Sequence, residues 1–93
     1  MKIEFDPAKS ERNARERGLP FEIAASFDWE GAVFSEDERF SYSEPRFTAL
    51  GIIAERLHVV CFTPVSGGVR IISFRKANKR EVRRYEEEKA AHR

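Results

Sequence analysis

Phe47-Thr48-Ala49-Leu50-Gly51-Ile52-Ile53, Leu57-His58-Val59-Val60-Cys61-Phe62-Thr63 and Val69-Arg70-Ile71-Ile72-Ser73-Phe74-Arg75 follow one another in the second half of the chain. Each run is rich in β-branched and aromatic side chains, which pack well on a pleated surface. Ala54-Glu55-Arg56 separates the first two, and Pro64-Val65-Ser66-Gly67-Gly68 separates the second pair. Connections this short join antiparallel neighbours, so the three runs predict a meander. Gly51-Ile52-Ile53 and Ile71-Ile72-Ser73-Phe74 do not alternate cleanly, and the pattern alone does not assign the two faces of the sheet.

Downstream, a helix is expected from Lys79 to Ala91. Asn78 is its cap and Glu81 completes a capping box. Val82 and Tyr85 form a docking side, while Arg83 with Glu87 and Arg84 with Glu88 are spaced as surface ion pairs. Upstream, Asp28 to Pro45 is irregular, with Trp29, Phe34, Phe40 and Tyr42 set among acidic residues. It reads as a short strand around Ala32-Val33-Phe34 and then an acidic turn, either solvated or a contact for a basic partner. Pro20 opens a helix whose apolar face is Phe21, Ile23, Ala24, Ala25 and Phe27. Before it, Asp6 and Pro7 start a polar helix over Ala8 to Arg17, and Gly18 ends it. A helix so polar belongs on the surface or against a partner. Lys2 to Phe5 alternates as a short strand does. The expected order is strand, helix, helix, strand, strand, strand, helix: an α+β fold.

A length of 93 residues with 41% hydrophobic content suits one domain spanning residues 1–93 with a modest core. A net charge of +1 hides an asymmetry. Residues 1–45 carry 11 acidic and 6 basic side chains, and residues 46–93 carry 5 and 11. Cys61, the single cysteine, reads as a buried thiol in a strand. Without a secretory leader or an apolar run of roughly 20 residues, the expected location is the cytoplasm, with no membrane contact.

No spacing of histidine or cysteine suggests a metal, and no phosphate-binding glycine motif is present, so no cofactor is expected. What remains is arginine, whose planar fork matches phosphate oxygens two at a time. Arg70 and Arg75 flank one predicted strand, and Arg80 and Arg84 lie on the helix after it. Their bland reading is a set of solvated charges at the sheet ends. The chemical one is RNA cleavage without a metal, in which the 2′-OH attacks its own phosphate and donors stabilise the charge that builds there. Glu55, His58 and Tyr85 are candidates for proton transfer. Each has a structural alternative: a turn residue, a strand residue and a docking residue respectively.

Phe5-Asp6-Pro7-x-Lys9-x-x-x-Asn13 and Gly18-x-x-Phe21-Glu22-x-Ala24 resemble the BrnT family of bacterial toxins. Glu44-x-Arg46, Gly51 and Arg56-Leu57-x-Val59-Val60 continue the likeness. So do Arg70-Ile71-Ile72-Ser73-x-Arg75-x-Ala77, Glu81 and Tyr85. The resemblance runs through nearly the whole chain. It implies a RelE-like fold, a twisted antiparallel sheet with helices packed on it, and an endoribonuclease toxin of a type II toxin–antitoxin pair. It also implies a BrnA-like antitoxin with a ribbon-helix-helix part, through which alone the complex would contact DNA.

Under that likeness, Arg56, Arg70, Arg75 and Arg80 are expected to contact phosphate and the transition state. Arg46, Lys76, Lys79 and Arg84 are expected to bind RNA, and Glu55 and Tyr85 to move protons. Two positions depart from the family. Glu16-Arg17-Gly18 stands where Lys-His-Gly is usual, and arginine cannot act as a base there. Phe74 replaces what is often a small residue. The competing reading is a non-catalytic RNA- or protein-binding module.

Overall fold

The chain enters its sheet as β1 (Lys2–Glu4) and leaves it for α1 (Pro7–Arg17) and a 3₁₀ helix (Phe21–Ser26). It returns as β2 (Val33–Glu36), β3 (Phe47–Ile53), β4 (Arg56–Val65) and β5 (Gly68–Lys76), and ends in α2 (Lys79–Ala91). These elements come from a computed structural model that describes residues 1–92. The sheet order is β1-β5-β4-β3-β2. The expected meander of β3, β4 and β5 is present, antiparallel throughout. Ala54 and Glu55 form its first turn with φ of 47° and 69°, the positive values that a two-residue hairpin loop demands.

Three expectations are corrected. The sheet is mixed, because β1 pairs in parallel with the start of β5. β2 is a full member of the sheet, so four strands rather than three follow the helical region. The second helix is a single 3₁₀ segment in which Phe21 and Ala24 are buried while Ala25 is exposed. Its start is fixed from outside, since the Phe21 N–H donates to Ser10 Oγ at 2.8 Å and Ser10 Oγ donates to Glu22 at 2.8 Å.

Those contacts also explain how a polar α1 stays attached. Ser10 is its one buried residue. Asn13 Nδ2 donates to the Leu19 carbonyl at 2.7 Å and to the Phe74 carbonyl at 2.9 Å. β1 covers only Gly68 to Arg70 of β5. Beyond it α1 lies along the strand, and Asn13 supplies a donor to backbone that another chain could otherwise pair with.

The two sheet faces have different covers. On one, Ala49, Val60, Phe62, Ile71 and Phe74 pack against Leu19, Phe21, Ala24 and Phe27. Trp29 closes this core edge-on to Phe27 and Phe62, with ring centroids 4.8 and 5.4 Å apart. On the other, Leu50, Leu57, Val59 and Ala77 form a smaller patch that receives Val82 and Tyr85 of α2. α2 buries no residue completely, so its hold on the sheet is light.

The second face depends on a β-bulge. Cys61 pairs with Ser73 but Phe62 pairs with Ile71, leaving Ile72 as the extra residue. Arg70 and Arg75 are five positions apart, an odd spacing that puts side chains on opposite faces of a regular strand. The bulge resets the alternation, so Arg75 pairs with Val59 and Arg70 with Thr63, both on the α2 side.

Gly51 gives the tightest test of the larger core. A Cβ there would lie 2.5 Å from the Phe27 ring. Gly51→Ala is expected to cost about 1–3 kcal/mol by overpacking, measured by urea unfolding. A Gly51→Ala protein as stable as the parent would contradict this packing.

Candidate functional site

On the α2 side, one row of residues crosses four strands: Ser35 of β2, Thr48 of β3, Cys61 of β4 and Ser73 of β5. All four are small and polar. A row of this kind spans roughly 14 Å at the usual strand spacing. The next row toward the helix ends in Arg75, and the next row away carries Thr63, Arg70 and Glu4. The small side chains leave a concavity of about 490 Å³. Arg75, Glu81 and Arg84 bound it on the helix side, and the segment Glu36 to Arg39 bounds it on the other.

Glu81 organises the helix side. Its two oxygens accept from Arg75 Nη1 and Nη2, both at 2.8 Å. Glu81 Oε1 also accepts from the Asn78 N–H at 2.9 Å, and Asn78 Oδ1 accepts from the Glu81 N–H at 2.9 Å. The capping box expected from the sequence is therefore complete, and it shares its carboxylate with Arg75. That hydrogen-bonded guanidinium lowers the Glu81 pKa, and Glu81 in turn raises that of Arg75. Arg84 Nη2 donates to Ser35 Oγ at 3.1 Å across the concavity.

The acidic segment between β2 and β3 is an ordered rim. Asp37 accepts from Arg39 Nε and Nη2, each at 2.9 Å, and from the Tyr42 hydroxyl at 3.0 Å. The Arg39 bonds hold the Asp37 carboxyl far below its ordinary pKa. Arg46 lies over the Tyr42 ring, 4.2 Å from its centroid. Glu44 reaches Arg70 at 3.2 Å, and Glu4 reaches the same side chain at 3.5 Å.

The expected site residues fall into three groups. Arg75 and Arg84 line the concavity. Arg70 is one row away on the same face, and Arg46 stands at the rim end. Lys76, Lys79 and Arg80 are exposed around the start of α2. Glu55 and Arg56 lie at the exposed tip of the β3–β4 hairpin, beyond the apolar patch under α2, and do not line the concavity. Tyr85 packs into that patch.

His58 points to the opposite face. It is buried against Phe74 with Nδ1 2.8 Å from the Arg56 carbonyl, and burial depresses its pKa. Cys61 is only partly buried and faces the concavity, which corrects the expectation of a core thiol. Burial still raises its pKa. Arg17, the departure from the family pattern, borders a shallow pocket with Leu19, Arg75 and Lys76. Phe74 is buried on the opposite face from Arg70 and Arg75.

Sequence reading missed the row of Ser35, Thr48, Cys61 and Ser73, the second role of Glu81, and Arg39. The row has no motif and emerges only once register is known. The i−6 relation of Arg75 to the capping glutamate was the one available signal for their pairing.

The pair makes stability depend on pH in a defined direction. Glu81 has a folded pKa below its ordinary 4.5. Its contribution is fully present above about that pH and is lost as pH falls through the lowered value. Arg75→Ala is expected to be less stable than the parent near neutrality, with the gap closing on acidification below pH about 4.5. A gap that stays constant to pH 3, roughly a unit and a half lower, would contradict the coupling.

Among the described residues, no group of three or more His, Cys, Asp or Glu side chains is arranged to hold a metal ion. No helix among them is long and apolar enough to cross a membrane. No curated protein and no solved structure matches the chain. The family model described as "Ribonuclease toxin, BrnT, of type II toxin-antitoxin system" matches residues 5–81. That span begins just after β1 and holds α1, the whole polar row, Arg70, Arg75 and Glu81, so the chain belongs to the BrnT family of ribonuclease toxins of type II toxin–antitoxin systems.

Proposed function

We propose that this chain is a metal-independent endoribonuclease whose RNA lies across the row of Ser35, Thr48, Cys61 and Ser73. The observation that carries the reading is the flanking of this row by Arg75 and Arg84 on one side and Arg70 on the other. Small hydroxyl and thiol side chains let a backbone approach the sheet closely, while the guanidinium groups offer donors to phosphate oxygens. In this reading the 2′-OH attacks the adjacent phosphorus and its proton passes to a base. The bond to the 5′-oxygen breaks, that oxygen gains a proton, and a 2′,3′-cyclic phosphate remains.

Arg70 and Arg75 are proposed to stabilise the phosphorane charge, with Arg84 and Arg46 binding neighbouring phosphates. Arg56, Lys76, Lys79 and Arg80 extend the positive surface. Lys79 and Arg80 occupy the first turn of α2, where positive charge opposes the helix dipole by about 0.3–1 kcal/mol each. An anionic ligand at this end of α2 offsets that cost. Glu55 and Tyr85 lie outside the concavity, so solvent water is assigned as the acceptor of the 2′-OH proton and the donor to the 5′-oxygen, and most of the rate is assigned to positioning and charge stabilisation. The fold is proposed to be RelE-like, the location cytoplasmic, and the neutralising partner a BrnA-like ribbon-helix-helix antitoxin that supplies any DNA contact.

One observation favours the non-catalytic alternative. Arg39, Arg70 and Arg75 are already paired with Asp37, with Glu4 and Glu44, and with Glu81. A binding module would keep them so. Purified protein incubated with RNA in EDTA distinguishes the two. The expected result is cleavage with 2′,3′-cyclic phosphate ends, reduced about 10²–10³-fold by each of Arg70→Ala and Arg75→Ala. Activity abolished by EDTA would overturn metal independence, and no turnover in any buffer would establish the binding module.

A further inference from the structure

We infer that Glu81 is a positioning residue for RNA cleavage, holding Arg75 so that one edge of its guanidinium stays open toward the concavity. The inference rests on the ribonuclease reading above. It follows from which N–H groups are already used. Glu81 takes Nη1 and Nη2 end-on, and Nη1 also donates to the Lys76 carbonyl at 3.3 Å. The Nη1 hydrogen not facing the carboxylate lies on the Cδ side, toward that carbonyl. The remaining pair, Nε–H and the outer Nη2–H, are parallel donors on the opposite edge. That edge is the one able to take two oxygens of a single phosphate.

The carboxylate itself is fixed. Glu81 Oε1 is held by the Asn78 N–H, and Asn78 follows β5 by two residues. Arg75 is therefore oriented before substrate arrives, so less rotamer freedom is lost on binding. The negative charge of Glu81 weakens ground-state attraction for RNA. Its benefit must then appear in the transition state, where orientation counts most.

Glu81→Gln separates this role from capping. Glutamine retains an oxygen for the Asn78 N–H, as capping boxes with glutamine do. It cannot accept from both Nη groups, because its amide nitrogen is a donor. The expected result is an unfolding midpoint lowered no further than Arg75→Ala lowers it, kcat reduced tenfold or more, and KM unchanged or lowered. In an Arg75→Ala background the same substitution should have no further effect.

Arg75→Lys provides a second test that does not disturb the cap. It keeps the charge and removes the fork, and kcat should again fall at least tenfold. An unaltered kcat in either variant would overturn the inference, as would a raised KM at constant kcat or additive losses in the double variant. Absence of cleavage by the parent protein would instead remove the ribonuclease reading on which the inference stands.

Discussion

A single extra residue in β5 determines what the α2 side of the sheet can do. Ile72 has no partner on β4, and its insertion puts Arg70 and Arg75 on the same face although five positions separate them. Without it, one of the two would enter the aromatic core of Phe62, Phe74 and Trp29, where an unpaired guanidinium is very costly to bury. The same reset sends Val69 and Ile71 into that core. One backbone irregularity thus satisfies the apolar face and arms the polar one.

The covers of the sheet divide along the same line. α1 and the 3₁₀ helix close the larger core, fixed by the hydrogen bonds of Ser10 and Asn13 rather than by an apolar helix face. α2 shields only the patch around Leu50, Leu57 and Val59. The polar row remains open between the helix and the Asp37 rim. Glu81 ties this arrangement together, since one carboxylate caps α2 and orients the last arginine of β5. A light helix held by a shared carboxylate leaves the row accessible, which a helix buried along its length would not.

Local signals were the legible ones. Phe47–Ile53 and Lys79–Ala91 were readable to their ends, because β-branched runs, a tight turn and a capping box are all written in neighbouring residues. The parallel pairing of β1 was not, since three residues against the start of β5 carry no periodic signal. The bulge hid the faces, and hidden faces hid the site. Arg75 and Arg84 stood out as candidates because arginine declares its chemistry alone, and both line the concavity. Ser35, Thr48, Cys61 and Ser73 were missed because a serine or threonine acquires meaning here only beside its cross-strand partners. Arg56 was drawn in by the family likeness and Glu55 as a candidate proton-transfer group, and the hairpin carries both beyond the patch under α2, outside the concavity.

RNA is proposed to lie across the row between Arg75 and Arg70. Amide and side-chain NMR shifts on titration with a 2′-O-methyl oligonucleotide, which binds as RNA but lacks the attacking hydroxyl, test this directly. The expected shifts concentrate at Ser35, Thr48, Cys61, Ser73, Arg70 and Arg75. Shifts confined to the hairpin of Glu55 and Arg56, or to the α1 and 3₁₀ side of the sheet, with the row unmoved, would contradict it.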